Sequence, residues 1–253
     1  MTDRRHFIAA TLLAAPTYAL LSALATPATV ASSLADTRVT AWLRRQDEIA
    51  RALADGAVSG AGWQQAVESL ASEVDLDQLA DAIARSRMRD LGRGLPSYPV
   101  KRSVRFLDAD GDPRELRFAA ALFEFDATNV ITPHAHRHMA SAHLILNGAF
   151  RVRTFDRVAD EPGAILVRPT GDSELAAGAV STMSGEHDNV HWFVPTTRRA
   201  TTFDVIVSGL DEGAPNHVIE AIDPARGEER ADGTIRAPLI GFHEAARFYT
   251  HDV

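Results

Sequence analysis

Two histidines separated by a single residue give this sequence its strongest chemical signal: His134 and His136, in Pro133-His134-Ala135-His136-Arg137-His138-Met139. A β-strand repeats every two residues, so in an extended segment both imidazoles point to the same side of the backbone. Two neutral imidazoles on one face are half of a metal site. Far downstream, Asn189-Val190-His191-Trp192-Phe193 offers a third imidazole in another short, aromatic-rich strand. The expectation is a three-histidine metal site, and its condition is geometric: rings 134, 136 and 191 must converge on one point.

Other polar residues near these motifs have two readings each. His143 shares strand parity with Ser141, so both face the same way; it is either a fourth ligand or substrate contact, or an interior histidine bonded to a neighbour. His138 follows directly on His136 and is a candidate for the mouth of the site. His187 stands four residues before His191, but in a loop-to-strand context the helical logic of that spacing does not apply. Arg151 and Arg153 alternate with Phe150 and Val152, which makes one strand face basic. Turned inward, an arginine there holds a substrate carboxylate bidentately; turned outward, it is a solvated face. Asp108-Ala109-Asp110-Gly111-Asp112-Pro113 lacks the later glutamate of a calcium loop and reads as a hairpin turn.

The elements that must position these residues follow from the rest of the chain. Its 253 residues suffice for one good-sized domain and an appendage. A formal charge of −8 and no basic stretch exclude a nucleic-acid footprint. With no cysteine, a metal must sit on nitrogen and oxygen ligands. Residues 1–35 read as an export signal: a charged start with Arg4-Arg5, an apolar run and small-residue exits, similar to the twin-arginine type. The expected location is therefore periplasmic or exported, with no stable membrane insertion after cleavage. Residues 36–95 read as a helical extension, with apolar stripes through Trp42 and Leu43, through Trp63 and Val67, and through Leu79 and Ile83. Asp75 and Gln78 form a capping box. From 96 to 253 the chain turns to short runs bounded by Gly, Pro, Asn or Asp, with no βαβ rhythm, as in a sandwich or barrel. Strands are expected at 100–107, 115–125, 141–147, 149–155, 164–168, 173–184, 189–194 and 201–208, and the tail from Asp211 reads as partly irregular.

The motif residues together resemble the cupin superfamily, and within it the three-histidine thiol dioxygenases of the cysteamine dioxygenase and plant cysteine oxidase type. The first motif is matched by His134, His136, Met139, Gly148 and Phe155-Asp156, with the proline placed immediately before the first histidine. The second is matched by Asn189, His191, Phe193 and Asp204-Val205. The resemblance covers roughly residues 115–210. It implies a mainly β fold, a jelly-roll barrel, carrying an N-terminal α-helical extension. It implies that His134, His136 and His191 hold a metal, Fe(2+) foremost, with Zn(2+) or Mn(2+) as chemically sound occupants. Ser141 stands where most cupins place a glutamate ligand. Asp156 or Asp204 would accept from a ligand imidazole. The implied reaction is dioxygenation of a small thiol or related anionic substrate, with molecular oxygen as co-substrate. Two alternatives stay open: a non-catalytic metal- or ligand-binding cupin, and a zinc- or manganese-dependent isomerase or hydrolase. Glu186-His187-Asp188 departs from the small residues usual before the asparagine, and a homo-oligomer is compatible with all readings.

Overall fold

The computed structural model describes residues 29–250. The expected export segment lies almost entirely outside the described residues. Three helices come first, α1 (Thr29–Ala54), α2 (Gly60–Ala71) and α3 (Leu76–Ala84). Ten strands follow: β1 (Arg87–Gly92), β2 (Val100–Arg105), β3 (Ala119–Asp126), β4 (Ile131–Arg137), β5 (Met139–Asn147), β6 (Ala149–Glu161), β7 (Ala164–Ala176), β8 (Val180–Met183), β9 (Val190–Pro195) and β10 (Arg199–Ser208). The tail adds β11 (Val218–Ala221), β12 (Glu228–Glu229), β13 (Ile235–Pro238) and α4 (Phe242–Phe248). Among the described residues, no helix is long and apolar enough to cross a membrane.

The strands form two antiparallel sheets, ordered β1-β2-β3-β10-β5-β8 and β11-β4-β9-β6-β7-β13-β12. The inner parts, β3-β10-β5-β8 and β4-β9-β6-β7, have the strand order of a jelly roll of two Greek keys. The fold is a cupin-type barrel.

Alternation along each strand decides what each sheet presents to the barrel. On β5, Ala140, Ala142 and Leu144 join the helical core, together with Phe203, Val205 and Val207 of β10. Their neighbours of opposite parity, Ser141, His143, Thr202 and Asp204, are therefore directed into the barrel, and all are buried. At β5 and β10 the first sheet is thus covered on both faces, by helices outside and by the second sheet inside. Trp42 and Phe106 pack their rings on Phe203 at centroid distances of 6.2 and 5.9 Å. Trp42 also donates its indole N–H to the Leu70 carbonyl at 3.0 Å, which locks α1 against α2.

Local chemistry explains the helix starts. Ser59 accepts from Gly62 N at 3.1 Å to begin α2, and Asp75 accepts from Gln78 N at 3.1 Å to begin α3. Only half of the expected capping box forms: the Gln78 amide donates to the Asp75 carboxylate at 3.0 Å and does not reach back to the Asp75 amide. Gly148, between β5 and β6, sits at φ +77, and a Cβ there would lie 2.5 Å from the Arg199 carbonyl oxygen, so only glycine fits.

Four expectations about elements change. Helix ends at Ala84, and Arg87–Gly92 is a strand paired with β2, exposed along its whole length. The run expected over 173–184 divides at Gly178 into the end of β7 and β8. The expected strand over 115–125 begins only at Ala119. The tail is ordered: β11 pairs with β4, β13 with β7, and α4 closes over Trp192, with Tyr249 fully buried against it. The 108–113 turn is a hairpin loop in which the Asp108 carboxylate accepts from the amides of Asp110 and Asp112, each at 3.0 Å.

Candidate metal centre

His134 and His136 lie on β4 and His191 on β9, where His191 is the cross-strand partner of His134. All three rings point into the barrel and are buried. The Nε2 atom of His191 stands 3.1 Å from that of His136 and 3.2 Å from that of His134. With metal–nitrogen bonds of about 2.1 Å, donors at right angles stand about 3.0 Å apart and tetrahedral donors about 3.4 Å apart. The observed spacing falls between these limits.

The other ring nitrogens fix the tautomers. His134 Nδ1 donates to the Thr132 carbonyl at 2.8 Å, which leaves its Nε2 as a free lone pair. His136 Nδ1 faces the Met139 sulfur at 3.2 Å. Burial pushes the His134 imidazole down to about 4, against the partial restoring effect of the Thr132 carbonyl. His136 and His191 are held well below the ordinary histidine value, again by burial first and then by the neighbouring imidazoles. A cation between the Nε2 atoms would meet three neutral nitrogen donors. This donor set could hold a metal ion.

The site opens into a cavity of about 400 Å³. Phe123, Ile131, Ile206, Ile219 and Phe242 supply apolar wall, and Tyr98, Arg93 and Lys101 lie on the same lining. Phe242, from α4, reaches within 6.5 Å of the His134 ring, and Tyr98 packs edge-on against Phe242.

His143 and Ser141 face this cavity, as their parity required. His143 does not join the ligand set. Its ring packs at 4.8 Å from His191 and 5.0 Å from Phe193. Its Nε2 lies 3.2 Å from the Ser141 hydroxyl, and its Nδ1 lies 2.7 Å from Asp204 Oδ2, at an angle outside hydrogen-bond geometry. Asp204 Oδ1 accepts from Thr202 Oγ1 at 2.8 Å. Asp204 therefore lies beside His143 and not beside a candidate ligand imidazole, while His134 Nδ1 meets a backbone carbonyl and His136 Nδ1 a thioether.

Four other candidates lie away from the centre. His138 makes the turn between β4 and β5 at φ 59, and its Nδ1 pairs with Asp211 at 3.1 Å outside the cavity lining. Asp156 lies past the end of the β6–β9 pairing, where its carboxylate accepts from Asp188 N at 2.8 Å and meets His187 Nδ1 at 2.7 Å. Arg151 faces outward, its side chain 53% exposed, and binds Asp172 bidentately at 2.7 Å. Arg153 shares that face and stacks over Trp192 at 3.9 Å. Phe150 and Val152 occupy the inward positions, because a buried aromatic core has no acceptor for a guanidinium there.

Lys101, Tyr98 and Phe242 line the cavity but were not singled out in the sequence. Alternation of apolar and basic residues marks β2, yet it does not say which side faces the barrel when both faces are covered. Asn189, in the second motif, has a structural task. It accepts from Arg157 N at 2.8 Å and donates to the Gly185 carbonyl at 3.2 Å, while its own carbonyl accepts from His136 N at 2.9 Å. One residue, through its side chain and its backbone carbonyl, thus ties the loop before β9 to both neighbouring strands. Glu186 in that loop accepts from Gly60 N at 2.9 Å and Ala61 N at 3.1 Å, capping α2, which accounts for a carboxylate at this position.

No protein-family model matches this chain, and no curated protein does. Solved structures similar to it include procruciferin, an 11S globulin from Brassica napus, at 12% identity over 50% of this chain, TM-score 0.35. The chain spans 28% of that globulin's length. KdgF from Halomonas sp. is similar at 18% identity over 47% of this chain and 84% of its own, TM-score 0.33. A conserved double-stranded β-helix protein from Klebsiella pneumoniae is similar at 12% identity over 49% of this chain and 80% of its own, TM-score 0.32. The fold assignment rests on strand order and register.

Proposed function

We propose that the protein is a mononuclear non-haem iron dioxygenase that oxidises a small thiol to a sulfinic acid. One observation carries this reading: three neutral imidazoles converge, and among the described residues no carboxylate joins them. Asp204, the carboxylate on the cavity lining, is turned to His143. Three neutral ligands leave the +2 charge of the ion unbalanced, which favours an anionic donor such as a thiolate. His134, His136 and His191 would hold the ferrous iron, which when bound would supply oxygen activation; a thiol and one O2 together make up the sulfinic acid.

The chain's own residues have definable tasks in this reaction. The Thr132 carbonyl holds the His134 proton on Nδ1, so that Nε2 is available. Phe123, Ile131 and Phe242 keep the space above the imidazoles poor in water. Asp204 beside His143 Nδ1 favours the proton on that nitrogen, leaving Nε2 to accept from the Ser141 hydroxyl. This fixes the ring that packs against His191. In this reading the export signal expected over residues 1–35 would put the reaction in the periplasm or beyond.

The test is oxygen consumption by iron-loaded protein with a panel of small thiols, together with metal analysis of protein taken from its native compartment. Stoichiometric oxygen uptake and a sulfinic product support the proposal. Zinc as the resident metal, with no uptake for any thiol, replaces it with a hydrolytic or non-catalytic role, since imidazole donors suit both ions.

A further inference from the structure

Lys101 stands in the wall of the cavity that the three imidazoles close. It lies on β2, with Phe123 of β3 and Gly92 of β1 as its cross-strand partners. Its ammonium sits over the Phe123 ring at 5.0 Å, and both side chains line the cavity. Among the described residues, no carboxylate lies within ion-pair distance of it. The other cations near the site are matched. Arg93 pairs with Asp126 at 3.5 Å, and Arg102, next on β2, pairs with Glu124 at 3.0 Å. Asp204 faces His143.

Lys101 is half-buried beside apolar walls and has no carboxylate partner, so its ammonium is available to an anion that enters the cavity. We propose that the cavity selects a substrate with a carboxylate at the end remote from its metal-binding donor, and that Lys101 holds this carboxylate. The inference deepens the proposed function and names its substrate class: a small thiol acid, with an apolar body against Phe123, Ile206 and Phe242. An amine at the same position meets a like charge and is rejected.

The experiment compares probes of matched length on the metal-loaded full chain by calorimetry: 3-mercaptopropionate, its neutral analogue 3-mercaptopropionamide, and cysteamine. Butyrate and butyramide repeat the comparison without sulfur, so a failure of the thiol reading leaves this one readable. A charge-assisted contact gives about a ten- to hundredfold preference for acid over amide. In Lys101→Met that preference falls to about twofold or less, and Lys101→Arg retains most of it. Metal stoichiometry and the melting curve check that each variant is folded, and Lys101→Gln substitutes for a variant that is not. The inference is overturned if acid and amide bind the native protein equally, if no acid binds, or if the preference survives loss of the ammonium. Oxygen uptake with thiols that lack a carboxylate would leave the dioxygenase reading standing while removing this one.

Discussion

His191 is the hinge of the site, because both short nitrogen contacts run through it. Its Nε2 meets those of His136 and His134, while its ring packs on His143 and Phe193. His191→Ala should lower metal affinity by more than about a hundredfold, since even loss of a group that merely supports a ligand costs ten- to a hundredfold. Metal content after gel filtration reads the result, and a variant retaining full stoichiometry removes His191 from the ligand set. The same imidazoles give the metal-free protein a pH signature. Their folded-state values lie below the ordinary 6.5, with His134 at about 4. Between those limits the unfolded chain binds protons that the folded chain refuses, so stability falls as pH drops from about 6.5 toward 4. Melting temperatures of metal-free protein across that window should decline with acidification, and less steeply in His191→Ala. A flat profile would mean that the rings are not buried as neutral groups.

Strand pairing and helix capping place these residues. The parity of β4 alone brings His134 and His136 to one side, and that much was readable from their spacing. Parity also placed Ser141 with His143, and the structure agrees. For β6 the same reasoning allowed two answers, because a basic and an apolar face alternate with equal regularity; packing of Phe150 and Val152 inside the barrel chose between them. β1 was not readable at all: Arg87-Met88-Arg89-Asp90 has no buried side, so it carries no periodic mark. The helical layer is joined to the barrel partly through Glu186 at the start of α2. Glu186→Ala should destabilise the protein by about 1 kcal/mol in urea unfolding at neutral pH. Its carboxyl is held below the usual range by the Gly60 and Ala61 amides. The difference between native and variant should therefore be present above the ordinary carboxylate range and vanish as pH falls through the lowered value. Equal stabilities at neutral pH would show that the cap contributes nothing.

For the molecule as a whole, the decisive feature is that the middle strands of the first sheet, β10 and β5, are buried on both sides. Phe203 is fully buried between Trp42 and Phe106 and marks the centre of the contact between helices and sheet. Phe203→Ala should cost about 3–5 kcal/mol, measured by urea unfolding, with the metal site intact in the molecules that remain folded. A cost under about 1 kcal/mol would mean that the helices pack loosely and that the barrel stands without them. The tail contributes at this scale too. Tyr249 donates to Asp223 at 2.6 Å, and α4 thereby holds Phe242 over the imidazoles from a tail that the sequence marked as partly irregular.

Local spacing determined the three imidazoles, the strand parities, the helix starts and the glycine after β5, because each depends on backbone periodicity or on contacts a few residues long. Which face of a two-sided sheet meets the cavity, which cation enters it, and which acceptor each ring nitrogen finds were settled only when distant segments packed. Those choices turn on burial, and burial is a property of the assembled chain.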